Sequence, residues 1–341
     1  MARPLRSPHR TAAAFAALAA AAAAALFRAR APATLALSPD AAALAAHISP
    51  GRGGQPRVLA THAASGAALE VYLHGATATS YTHAARELLF LSPRAAFDGR
   101  APIRGGIPVV FPQFGPGALP QHGFARTRAW RLARAGDGCV ELELRDDAET
   151  RALWPHAFRA ALRFDFAGPA LAATLRVENP AGAPPLAFDA LLHAYLELGA
   201  GAVAAGGAGS AVRVRGLGGA AFRPRGGAPA RQEEAELQLA GEVDRVYAAP
   251  AADAVEVAGG RDGRAVRVTR AASVDGARVL SDVVVWNPAA DRCATMADLS
   301  ADSWTQFICI EPGRVANESV LPGGGLAGGS AFELRVDYVM A

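Results

Sequence analysis

From Arg57 onward the chain is cut into short apolar or alternating segments by Gly, Pro, Asn and Asp, for example residues 68–73, 139–144, 158–166 and 171–177. That spacing suits strands, and no long helical periodicity is found outside an Ala-rich N-terminus. Ala160, Leu162, Phe164 and Phe166 fall on one face, with Arg159, Arg163 and Asp165 on the other, as in a sheet with one buried side. Residues 189–198 and 283–286 are more continuously apolar, which fits central strands covered on both faces. The pattern predicts an all-β sandwich with these segments at its centre.

At 341 residues the chain could form two average domains, yet β-sandwiches often run well past 200 residues as one unit. A single domain over residues 40–341 behind an N-terminal leader is therefore expected. Residues 199–227, rich in Gly and Ala, read as an expanded surface connection. They contain GAGAVA at 199–204, a formal dinucleotide fingerprint, but no βαβ context surrounds it and no acidic residue follows before Glu233. No nicotinamide or flavin site is expected there.

Residues 1–39 hold Arg3, Arg6, Arg10, Arg28 and Arg30, no acidic residue, and an uncharged run over 11–27. This composition reads as a signal or transit peptide, too short and too Ala-rich for a stable membrane span. The expected destination is an organelle, the plastid ahead of the mitochondrion, or the secretory route. Asn317-Glu318-Ser319 is a formal glycosylation sequon that matters only on the latter route.

The net charge is +3, and removing the five leader arginines leaves a body of −2. Without a basic run, nucleic acid is not an expected partner. The sequence contains no lysine, which excludes Schiff-base chemistry, pyridoxal phosphate attachment and a P-loop, and makes every fixed cation an arginine. Cys139, Cys293 and Cys309 stand far apart without CxxC spacing, so buried free thiols are expected rather than a zinc site or a disulfide framework.

The densest cluster of polar function lies at 103–130, IRGGIPVVFPQFGPGALPQHGFARTRAW. Further on, His193 interrupts an apolar strand pattern, where a lone histidine is usually a satisfied core residue. Glu311 follows the apolar run 307–310, and a carboxylate buried there calls for a function or an ion pair. Trp286 and Trp304 could stack on a ligand face but read better as core.

These segments, with YLHGA at 72–76, LLHAY at 191–195, GEVDRVY at 241–247, VVVWNP at 283–288, MADL at 296–299 and ICIEPG at 308–313, come in the order used by a known family. The chain resembles the glucose-6-phosphate 1-epimerase branch of the aldose 1-epimerase family over roughly residues 57–340. The resemblance implies a galactose mutarotase-like β-supersandwich. It departs at Tyr195-Leu196, where the family often has Tyr-Phe, and at the Gly/Ala-rich stretch, which replaces a short connection carrying an Asp.

The resemblance further implies that Glu311 is the general base and His193 the general acid for exchanging the α and β anomers of glucose 6-phosphate by ring opening and closure. Arg104 and Arg126 are then the candidate phosphate ligands, since a guanidinium gives two parallel hydrogen bonds to phosphate oxygens. Surface salt bridges are the alternative for both. Gln121, His122 and Asp244 would orient sugar hydroxyls. No metal or organic cofactor is needed, the partner is a small sugar phosphate, and a monomer is expected. The rival readings are an aldose 1-epimerase of free sugars and a non-catalytic carbohydrate-binding protein on the same fold.

Overall fold

A computed structural model describes residues 44–203, 210–316 and 324–341. The leader at 1–39, its boundary and the sequon at 317–319 lie outside the described residues. Among the described residues, nearly all regular structure is antiparallel strand, in sheets of five, ten and eight strands. Among these residues the two helices longer than one turn, Ala148–Leu153 and Ala289–Ala294, have six residues each. No described helix is long and apolar enough to cross a membrane.

The alternation seen in the sequence sets the faces. In the strand Arg159–Ala167, Ala160, Leu162, Phe164 and Phe166 are buried, while Arg159, Arg163 and Asp165 are only half-buried on the other side. Each Leu or Phe so buried contributes roughly 1.5–3 kcal/mol relative to exposure. The strands named above pack into one contiguous core that draws on all three sheets. Tyr81 of the five-stranded sheet meets Phe166 of the ten-stranded sheet edge-on at 5.8 Å, and Phe90 stacks at 4.7 Å on Phe307 of the eight-stranded sheet.

Two expectations are corrected. Residues 199–227 are not simply a surface connection: they contain the strands Arg213–Arg215 and Ala221–Pro224, and Val212, Val214 and Leu217 are buried in the main core. Strand formation there rests on three apolar side chains that the Gly/Ala background conceals. Residues 189–198 do not form one strand but two, Ala190–Leu192 and Ala194–Glu197, broken at His193. The break arises because the His193 N–H donates to the Pro108 carbonyl at 3.0 Å, and the Tyr195 N–H to the Gly106 carbonyl at 2.9 Å. These bonds fasten the 103–108 segment beside the centre of the eight-stranded sheet.

Candidate active site

The strand Phe307–Arg314 lies between Asp282–Asn287 on one side and the two broken strands on the other. Leu191 faces Gly313 and Ala194 faces Ile310, so the same register sets His193 opposite Glu311. Trp286 lies opposite Cys309 and also opposite Asp244, and Tyr195 lies opposite Cys309. Residues in register share a face, and so do residues two apart on one strand. His193, Tyr195, Asp244, Trp286, Cys309 and Glu311 therefore project from one face of the sheet.

His193 and Glu311 are 7% and 1% exposed, and His193 Nδ1 stands 3.4 Å from Glu311 Oε1. This is ion-pair range without hydrogen-bond geometry, and both His193 Nδ1 and Glu311 Oε2 are left without a hydrogen-bond partner. Burial pushes Glu311 well above the usual carboxylate range; nearby Asp244 adds to this and Arg126 opposes it. Burial holds His193 well below the usual histidine range, reinforced by His122, Arg104 and Arg126. Desolvation thus favours one proton on the pair, shared as carboxylic acid and imidazole. The His193 ring stacks on Tyr195 at 4.8 Å and meets the Trp286 edge at 6.0 Å, which fixes its plane.

The two arginines differ. Arg104 donates from Nε to Asp298 Oδ2 at 2.8 Å and from Nη1 to the Tyr195 hydroxyl at 2.8 Å. Burial works against its charge, but Tyr195 and Asp298 outweigh burial and keep it firmly protonated. Arg126 donates from Nη2 to the Gln121 carbonyl at 2.6 Å, its buried Nε has no partner, and no carboxylate among the described residues forms an ion pair with it. Burial pushes Arg126 down to about 10, leaving it charged at neutral pH. The salt-bridge alternative thus holds in part for Arg104, whereas Arg126 presents an uncompensated cation.

His122 stands edge-on to His193 at 5.7 Å, and its Nδ1 accepts from the Gly115 N–H at 3.2 Å. Burial, with Arg126 and Arg104 beside it, pushes His122 down to about 3, so the ring is neutral and its proton sits on Nε2. That N–H can donate to a sugar hydroxyl. Gln121 is exposed on the same loop, with its amide 3.4 Å from His122 Nε2. Asp244 is half-buried at the edge of an open cavity of about 700 Å³ that Arg225, Arg245, Glu242 and Arg292 also line. Arg292 Nη1 lies 2.7 Å from Glu242 and 3.5 Å from Asp244. A second cavity of about 100 Å³, beside Arg270 and Arg278, holds none of these residues.

The glycines flanking the arginines serve the chain rather than a ligand. A Cβ on Gly106, at φ 67°, would lie 2.0 Å from the Ala78 carbonyl oxygen, and one on Gly123, at φ 72°, 2.2 Å from that of Phe111. Trp286 and Trp304 are both buried, as core residues should be, although Trp286 also walls the site. The three cysteines are free and buried. Sequence reasoning did not place Tyr195, Asp298 or Cys309 in the site. Tyr195 and Cys309 lie two residues from His193 and Glu311 on the same strands or their continuation, a period-2 signal that was there to use.

The aldose 1-epimerase family profile matches residues 57–325. The chain belongs to this family. It is 33% identical over 271 residues to a protein of Cenchrus ciliaris provisionally named glucose-6-phosphate 1-epimerase, covering 75% of this chain and 77% of that one. A Salmonella typhimurium protein with the same provisional name is 30% identical over 233 residues, covering 66% and 72%. The crystal structure of a provisionally named mutarotase from Salmonella typhimurium matches with a TM-score of 0.67 at 25% identity, over 83% of this chain and 90% of that one. The galactose mutarotase-like fold and the epimerase class expected from the sequence thus hold for this family member.

Proposed function

We propose that the protein interconverts the α and β anomers of glucose 6-phosphate or a close hexose 6-phosphate. The observation that carries this reading is an acid–base pair set face to face by strand register, with an uncompensated guanidinium, Arg126, in the same site. The provisional names of the relatives point to the same substrate.

Glu311, as carboxylate, takes the proton from the hydroxyl on carbon 1 while His193, as imidazolium, protonates the ring oxygen. The bond between carbon 1 and the ring oxygen breaks and the aldehyde rotates; as the ring closes on the other face, Glu311 returns its proton to the oxygen on carbon 1 and His193 takes one back from the attacking hydroxyl. One proton on the pair is sufficient at every stage. Phosphate binding supplies the shift needed from the resting distribution. Two guanidiniums depress the proton affinity of His193, but only Arg126 depresses that of Glu311. A phosphate dianion on Arg126 and Arg104 cancels that field and moves the proton toward His193. His122 Nε2–H, Gln121 and Asp244 then hold the hydroxyls.

Magnetisation-exchange NMR of glucose 6-phosphate, with glucose and galactose beside it, tests the assignment. The expected result is acceleration for the phosphate ester above the free sugars, and a fall of about a hundred- to ten-thousand-fold in Glu311→Gln. Equal acceleration of all three sugars would transfer the protein to free-sugar epimerases. Folded protein that accelerates none would make it a carbohydrate-binding member of the family.

A further inference from the structure

One buried nucleophilic group on the catalytic face has no part in that reaction. Cys309 precedes Glu311 by two residues on the same strand, so its thiol points to the same face, and its side chain is fully buried. A ring nitrogen of His193, the Cys309 Sγ and a carboxylate oxygen of Glu311 all lie within 4.8 Å of one another. Two of these groups carry unpartnered polar atoms, His193 Nδ1 and Glu311 Oε2, in side chains more than nine-tenths buried.

We propose that His193, Cys309 and Glu311 form a site for a thiophilic divalent cation, zinc or cadmium, whose binding switches the enzyme off. Zinc takes sulfur at about 2.3 Å and nitrogen or oxygen at about 2.0–2.2 Å, so neighbouring ligand atoms of a tetrahedron stand about 3.3–3.7 Å apart. The 3.4 Å between His193 Nδ1 and Glu311 Oε1 already has that separation. The thiol reaches it by closing at most about an ångström, within a side-chain adjustment. Binding releases the thiol proton and the proton of the acid–base pair to solvent. The product, one divalent cation with one thiolate, one carboxylate and one neutral imidazole, has no net charge, which suits a buried position. Three protein ligands leave a fourth position for water or a sugar hydroxyl. Magnesium and calcium, which prefer all-oxygen sites, do not compete.

Binding stands on geometry alone; inhibition rests also on the function proposed above. Metal-free full-length protein is titrated with cadmium, and the ultraviolet thiolate-to-cadmium charge-transfer band is followed in the wild type, in Cys309→Ser and in the double variant Cys139→Ser/Cys293→Ser. One equivalent is expected in the wild type and the double variant, with at least a hundred-fold weaker binding in Cys309→Ser. X-ray absorption of the zinc-loaded wild type, which needs no variant, is expected to find one sulfur at about 2.3 Å. A shell of nitrogen and oxygen alone, a band that survives Cys309→Ser, or displacement by magnesium would overturn the site. In the exchange assay, zinc is expected to abolish wild-type turnover reversibly with chelator, and the zinc concentration for half-inhibition, with each protein referred to its own metal-free rate, to rise at least a hundred-fold in Cys309→Ser. Zinc bound at one equivalent without loss of exchange would overturn the inhibition. A charge-transfer site in protein that never exchanges anomers would leave the metal site standing and remove the proposed function.

Discussion

At the scale of single residues, the proposed chemistry rests on the mismatch between burial and charge. His193 and Glu311 are both moved toward their neutral forms, so the one-proton state of the pair spans a wide pH range. Exchange should fall in acid as His193 gains a second proton for the pair, below the ordinary histidine range. It should fall in alkali as Glu311 loses the last one, above the ordinary carboxylate range. Arg126 depresses the proton affinity of both groups, so Arg126→Leu should move both limbs of the kcat/KM profile for glucose 6-phosphate to higher pH. The same variant should raise KM for the phosphate ester by at least ten-fold, about 1.4 kcal/mol of lost binding. A profile unmoved by the substitution would place Arg126 outside the field of the pair. The sequence nominated His193, Glu311 and both arginines through the resemblance, and ionisable groups embedded in apolar runs already marked two of them. It did not disclose that Asp298 and Tyr195 occupy Arg104 while Arg126 stays uncompensated, because those contacts join segments far apart in the chain.

At the scale of the element, alternation was the most legible property of the chain. It placed Leu and Phe in the core and charge outside, and the outer charges of the ten-stranded sheet form a cross-strand lattice. Glu143, 4% exposed on the strand Cys139–Arg145, receives Arg145 Nε and Arg159 Nη2, each at 2.5 Å, and Arg131 Nη2 at 3.3 Å. Burial opposes its charge, but hydrogen bonds from Arg145 and Arg159 win and push it down to about 2 from an ordinary 4.5. A folded-state value below the unfolded one gives stability that is complete above about 4.5 and is lost as pH falls through about 2. Glu143→Gln should cost about 1–3 kcal/mol at pH 7, since the partly exposed arginines can rehydrate. The gap from wild type should narrow between pH 4.5 and 2 in urea unfolding; a gap constant with pH would remove the carboxylate from the ledger of stability. What alternation could not reveal was the break at His193, dictated by the Gly106 and Pro108 carbonyls, or the strands within 199–227, where too few large side chains mark the period.

At the scale of the whole molecule, the sheets are closed by strands remote in sequence, which is why topology was reachable only through family resemblance. The C-terminal strand Ala331–Met340 lies inside the ten-stranded sheet, paired on one side with Ala170–Glu178 and on the other with Val266–Val274. Its Phe332, Leu334, Val336 and Tyr338 are fully buried in the main core. At roughly 1.5–3 kcal/mol for each large side chain, they contribute about 6–12 kcal/mol. A domain's entire margin is about 5–15 kcal/mol. Removing residues 330–341 should therefore prevent folding outright, leaving two unpaired edges prone to association. A chain beginning at Leu44 retains every strand of the three sheets and should unfold in urea at the same midpoint as the full chain. Circular dichroism and urea titration of both truncations decide the matter. If the C-terminal truncation kept a cooperative transition, the sheet would not depend on its last strand. If the N-terminal one lost it, residues 1–43 would belong to the folded unit and the leader reading would fall. The outcome bears on catalysis as well, because the strand that carries Glu311 packs into the same core as the one that closes the sheet. His193 and Glu311, the proposed acid and base, keep their 3.4 Å separation only while that closure holds.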